Sequence, residues 1–99
     1  MNVDIGSNQL SEVQTILRKI VPDATVWAFG SRTTGKAKRF SDLDLALLSD
    51  KPIPSETIWD LRESFSDSDL PFRVDVIDLA SVSPDFKLIV ENTHTVLLP

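Results

Sequence analysis

The chain has 99 residues, a net charge of −5 and no cysteine. That is the size of one small domain with one core, expected to span residues 1–99 and to leave no room for a separate substrate-recognition domain. The lack of cysteine excludes a disulfide framework and a thiolate metal site; with no membrane-length apolar stretch and no signal-peptide pattern, a cytoplasmic protein is expected.

Residues 1–6 read as a short loose lead. Ser7 or Asn8 then starts a helix over about residues 8–21. Its apolar stripe is Leu10, Val13, Ile16, Leu17 and Ile20, and Arg18 and Lys19 favour the dipole of its last turn. Pro22-Asp23 ends it. Ala24–Phe29 is a short apolar run, read as strand one, with Trp27 in the core. Gly30 permits positive φ or a close backbone approach, and Thr33–Lys36 reads as a single helical turn. Phe40–Ser49 is strand two. Ser55 is the expected cap of the next helix, with Ile58, Leu61, Arg62 and Phe65 on one face and Trp59 flanking. Phe72–Leu79 is strand three. Ser83-Pro84-Asp85 has the cap, proline and acid of a helix start; that helix runs to about Asn92, with Phe86, Ile89 and Val90 as its stripe. Val96–Leu98 is a short last strand. His94, with no second His or Cys as co-ligand, is read as a surface residue.

Strand two carries the chemistry. Asp42, Asp44, Ala46 and Leu48 alternate with Leu43, Leu45 and Leu47, so the two aspartates project side by side. Adjacent carboxylates repel, and a shared cation relieves the repulsion. Oxygen-only ligands point to a hard ion such as Mg²⁺, which takes one or two carboxylates plus substrate phosphates. Strand three offers a third acid. Asp75 shares one face with Arg73, Ile77 and Leu79; Asp78 shares the other with Val74 and Val76. Parity alone does not choose between them.

The loop from residue 30 to residue 41 carries Arg32, Lys36, Lys38 and Arg39 with no acid, a local +4 against −9 on the remainder. So little positive surface argues against non-specific duplex DNA binding; the loop suits a triphosphate or an acidic patch on a partner. Gly30-Ser-Arg-Thr-Thr-Gly35-Lys36 also satisfies the opening of a P-loop. The next position, where a hydroxyl would hold Mg²⁺, is Ala37, and no long helix fits before strand two. The P-loop reading is rejected.

Gly30-Ser31, ten residues, then Asp42-Leu43-Asp44 resembles the signature of the nucleotidyltransferase superfamily related to DNA polymerase beta. Phe29, Arg32, Gly35, Ser41 and Leu45 fit its minimal branch, the MNT-type proteins paired with HEPN proteins in toxin–antitoxin modules. Leu70–Val76 resembles the segment that holds the family's third carboxylate, which favours Asp75.

The resemblance implies an α/β (or α+β) domain: a small mixed sheet with helices largely on one face. It implies a site in which Asp42, Asp44 and Asp75 hold Mg²⁺ and Gly30, Ser31 and Arg32 meet the nucleotide, with Asp75 accepting the proton of the attacking hydroxyl. It implies transfer of AMP from ATP to a hydroxyl, here on a HEPN-type partner supplied in trans. The alternative is a non-catalytic antitoxin that occludes the partner. ATP is inherited from the resemblance, since nothing in the sequence marks a pocket for the base.

Overall fold

The computed structural model describes residues 3–99. Residues 1 and 2 of the expected lead lie outside the described residues. The elements are α1 (Ser7–Ile20), β1 (Thr25–Phe29), α2 (Ser31–Thr34), β2 (Leu43–Leu48), α3 (Ser55–Ser66), β3 (Val74–Asp78), a 3-10 turn (Leu79–Ser81), α4 (Pro84–Thr93) and β4 (Thr95–Leu98). The sheet order is β3-β2-β1-β4. β1 is antiparallel to both neighbours, and β2 and β3 are parallel, α3 returning the chain between them. This is the small mixed sheet expected.

Period-2 alternation decides what each face of the sheet holds. Leu43, Leu45 and Leu47 of β2, Val26 and Ala28 of β1 and Val74 and Val76 of β3 point one way. There they meet Val13 and Leu17 of α1 and Leu61 and Phe65 of α3 in the main core. The three β2 leucines are fully buried, each contributing about 1.5–3 kcal/mol by leaving water. On the other face Ala46, Leu79 and Val90 form a second, smaller core, flanked by Trp27, Phe29, Leu48 and Ile77. Helices therefore lie largely on one face, as expected, and α4 adds partial cover on the other. The second face is apolar enough in Trp27, Phe29 and Ile77 to need a cover, and α4 supplies part of it through Val90.

Local signals account for most boundaries. Ser83 caps α4, accepting from Phe86 N at 3.3 Å with Pro84 at the first helical position. At α1 the cap is Gly6, not Ser7 or Asn8; the Gln9 side chain reaches back to Gly6 N at 2.8 Å. At α3 it is Pro54, and Ser55 is the first helical residue. β2 is shorter than expected, because Phe40, Ser41 and Asp42 precede the ladder. β1 and β3 are likewise trimmed at their ends.

The lead is not loose where it is described. Val3 and Ile5 pack on the main core, and Asp4 N donates to Arg32 O at 2.7 Å. Among the described residues no helix is long and apolar enough to cross a membrane.

Candidate active site

β1 stops at Gly30, whose φ of +83° and ψ of −157° suit glycine alone. The turn throws the chain into the four-residue α2, which ends at Gly35 in the left-handed region (φ +77°). α2 thus begins at Ser31, two residues earlier than the single turn expected, and no long helix follows it, as rejection of the P-loop requires. The next strand, β2, runs back alongside β1 and pairs Phe29 with Asp44. Gly30 is thereby pressed against the first acidic residue of the ladder: a Cβ at Gly30 would run into the Asp44 carboxylate. This close approach, more than turn geometry alone, explains a glycine here.

The parallel pairing of β2 and β3 sets Asp44 opposite Asp75, and Leu47 opposite Asp78. The structure resolves what parity left open: Asp75 is the neighbour of Asp44. Asp78 instead caps the 3-10 turn, accepting from Ala80 N at 3.1 Å. Asp42 lies just before β2 and is exposed, while Asp44 and Asp75 are half-buried. Burial, followed by the charges of Asp75 and then Asp42, pushes the Asp44 carboxyl up to about 6. Asp44 therefore feels both other acids at one end of the sheet.

These carboxylates do not form a finished metal cage. Among the described residues no group of three His, Cys, Asp or Glu is gathered tightly enough to hold an ion by itself. A site that borrows phosphate oxygens needs no such cage. An Asp44 carboxyl that resists ionising beside two other acids suits a cation that arrives with its substrate.

Arg32, expected beside the nucleotide, is turned into the protein. It is 6% exposed. Nε donates to Ser41 O at 2.8 Å, Nη1 to Asp4 O at 2.8 Å and Nη2 to Arg39 O at 3.2 Å. One face of the guanidinium lies over the Phe72 ring, 4.3 Å from its centroid. A side chain spent in this way braces backbone.

Thr33, 3% exposed, also escaped the sequence reading. Its hydroxyl lies 2.8 Å from Gly30 O and 3.3 Å from Thr93 O, tying the turn to the end of α4. Neither Thr33 nor Phe72 carries a local signal for these contacts, which arise only from tertiary packing. Trp27 packs into the second core and stacks on His94, with ring centroids 3.7 Å apart. His94 Nδ1 lies 2.8 Å from Glu91 O.

Comparison with known proteins gives the family. Residues 11–98 match the family described as Polymerase beta, Nucleotidyltransferase. A relative in Haemophilus influenzae, named as a probable protein adenylyltransferase MntA, is 52% identical over 95 residues, covering 96% of this chain and 83% of its own. A solved toxin–antitoxin with AMP-PNP superposes with a TM-score of 0.77 at 27% identity, over 89% of this chain and 71% of that one. An MNT antitoxin in complex with tri-AMPylated Shewanella oneidensis HEPN toxin shares the fold, with a TM-score of 0.69 at 24% identity over 91% and 69% of the two chains. The chain belongs to the polymerase beta nucleotidyltransferase family.

Proposed function

We propose that this chain is an antitoxin that transfers AMP from ATP to a hydroxyl of a HEPN-type toxin protein. The observation that carries the reading is the acidic row Asp42, Asp44 and Asp75 beside the Gly30–Ser31 turn. The similarity to a protein named as a probable protein adenylyltransferase spans 96% of the chain. The likeness to a toxin–antitoxin with AMP-PNP supports both a nucleotide and a protein partner. Dependence on ATP fits a cytoplasmic setting.

In this reading Asp42 and Asp44, with help from Asp75, hold Mg²⁺ together with the triphosphate oxygens. Bound there, Mg²⁺ neutralises phosphate charge and lowers the pKa of the acceptor hydroxyl. The Ser31 hydroxyl and backbone N–H steady the phosphates, and Gly30 lets the turn approach Asp44 closely. Asp75 takes the proton of the acceptor hydroxyl as its oxygen bonds to the α-phosphorus and the bond to pyrophosphate breaks. Most of the rate comes from positioning and charge neutralisation, as in phosphoryl transfer generally.

The test is to incubate the purified chain with a HEPN-type partner, ATP and Mg²⁺, and weigh the partner by intact-mass spectrometry. A gain of AMP units that disappears in Asp42→Asn and Asp44→Asn is expected. A partner that is bound and inhibited, yet unmodified by the wild type, would replace the enzyme with an occluding antitoxin.

A further inference from the structure

We propose that Arg32 is a positioning residue, holding the Gly30–Ser31 turn and the aspartates in register through a buried guanidinium that does not touch the nucleotide. This rests on the reading of Asp42, Asp44 and Asp75 as the reactive site.

Three parts of that site come from separate stretches of chain. The turn follows β1, Asp42 ends the basic loop, and Asp75 lies on β3 behind the Phe72 approach. Arg32 is part of the turn and contacts residues close in sequence to the other two. Its Cα is two residues from Gly30. Its Nε and Nη2 bind the carbonyls of Ser41, the residue before Asp42, and of Arg39. Its π-face packs on Phe72, three residues before Asp75. Nη1 and the Arg32 carbonyl together clamp Asp4, so the lead closes over the same brace. The β2–β3 ladder begins immediately beyond, with Leu43 N donating to Arg73 O at 2.8 Å. One planar group thus sets the entry of two acidic stretches relative to the turn.

The chemistry requires arginine. A guanidinium offers N–H groups in a rigid fork and a flat face for an aromatic ring; an ammonium offers neither. Lysine therefore keeps the charge and loses the geometry. At a phosphate contact, by contrast, lysine serves well as a point charge.

The test uses the full chain as wild type, Asp44→Asn, Arg32→Lys, Arg32→Ala and Phe72→Leu. Three quantities are read: ¹H–¹⁵N amide shifts of Asp42 and Asp44 without metal, Mn²⁺ binding in the presence of ATP by electron paramagnetic resonance, and AMP transfer at two salt concentrations. Arg32→Lys is expected to move both amide resonances, weaken Mn²⁺ binding several-fold and lower kcat about ten-fold or more at both salt concentrations, with KM for ATP little changed. Phe72→Leu should move the same quantities the same way by less. Wild-type values of kcat and Mn²⁺ binding in Arg32→Lys overturn the proposal. So does a loss confined to KM that shrinks as salt rises, the mark of a direct phosphate contact. If neither Arg32 variant folds, Phe72→Leu decides, and wild-type values there overturn the proposal. A wild type that binds no Mn²⁺ overturns the reading of the site, and the positioning role with it. A wild type that binds Mn²⁺, with binding lost in Asp44→Asn, leaves the site standing and puts Arg32 alone to the test.

Discussion

Asp44 and Asp75 face one another across the parallel pairing of β2 and β3, with Asp44 also next to Phe29 across the antiparallel pairing with β1. A carboxylate in the middle of three strands, half-buried and opposite another acid, is costly to ionise. Its carboxyl is raised from 3.8 to about 6. Between those values the folded protein holds a proton that the unfolded chain has released. Stability from this group therefore falls as pH rises through that window, and the penalty is complete above about 6. Asp44→Asn should raise the melting temperature at pH 7.5 without divalent cation, and should make no difference well below the unfolded value. Screening at a half-exposed side chain limits the gain to about 1 kcal/mol, or about 4–8 °C for a chain of this size. Mg²⁺ with ATP should stabilise the wild type and not the variant. Equal melting temperatures of the two proteins at pH 7.5 would show that the carboxylates do not oppose folding.

Gly30→Ala combines two faults. The backbone there is in a region reserved for glycine, and the new methyl would displace the Asp44 carboxylate. A cost of about 1–3 kcal/mol is expected from the backbone alone. AMP transfer should fall further than stability does, because Asp44 is pushed aside. Gly35→Ala is the control: φ is also positive, but nothing lies within 4 Å of the added methyl. It should be destabilised by melting and retain its kcat.

The site was legible where its signal is local. The alternation from Leu43 to Leu48 placed Asp44 on the face opposite the three leucines, because strand parity depends only on neighbours in sequence; Asp42 precedes the strand. Asp75 against Asp78 was not legible from parity, because register between strands is set by where α3 returns the chain. The burial of Arg32 was not legible for the same reason. Beside Gly30–Ser31 and in a basic loop, Arg32 has the sequence context of a phosphate ligand. Its carbonyl partners come from Asp4, Arg39 and Ser41, which only the folded chain brings together. The cover that α4 gives the second face is also a tertiary fact; Val90 looks like any stripe residue until Ala46 and Leu79 are placed beneath it.

Thr33→Val should show that the turn is anchored to α4. The swap keeps the shape and removes the hydroxyl that sits near Gly30 O and Thr93 O. Gly30 O keeps the backbone bond from Thr33 N at 3.0 Å, so Thr93 O is the acceptor left weakened. A loss of about 0.5–1.5 kcal/mol, the net contribution of one hydrogen bond, is expected. Urea denaturation should show a lower midpoint with an unchanged slope. An unchanged midpoint would mean that the hydroxyl contributes nothing net.

With Arg32 buried, the cations left to meet a triphosphate are those exposed on the loop: Lys36, Lys38 and Arg39. The loop has some order of its own. Lys38 N donates to the Ser41 hydroxyl at 2.8 Å, and the Arg39 guanidinium lies 5.3 Å from the Phe40 ring centroid. Exposed lysines act on a polyanion through a field that salt screens, with a range of about 10 Å at 0.1 M ionic strength. Replacing Lys36 and Lys38 together by alanine should therefore raise KM for ATP several-fold at low salt. The difference should shrink at 0.5 M salt, while kcat holds. Arg32→Lys is expected to behave in the opposite way, losing kcat at either salt concentration. Steady-state AMP transfer by the two proteins at two ionic strengths separates steering from positioning. A KM for the double alanine variant equal to that of the wild type at low salt would remove the loop from nucleotide binding and leave its charge to the partner's surface.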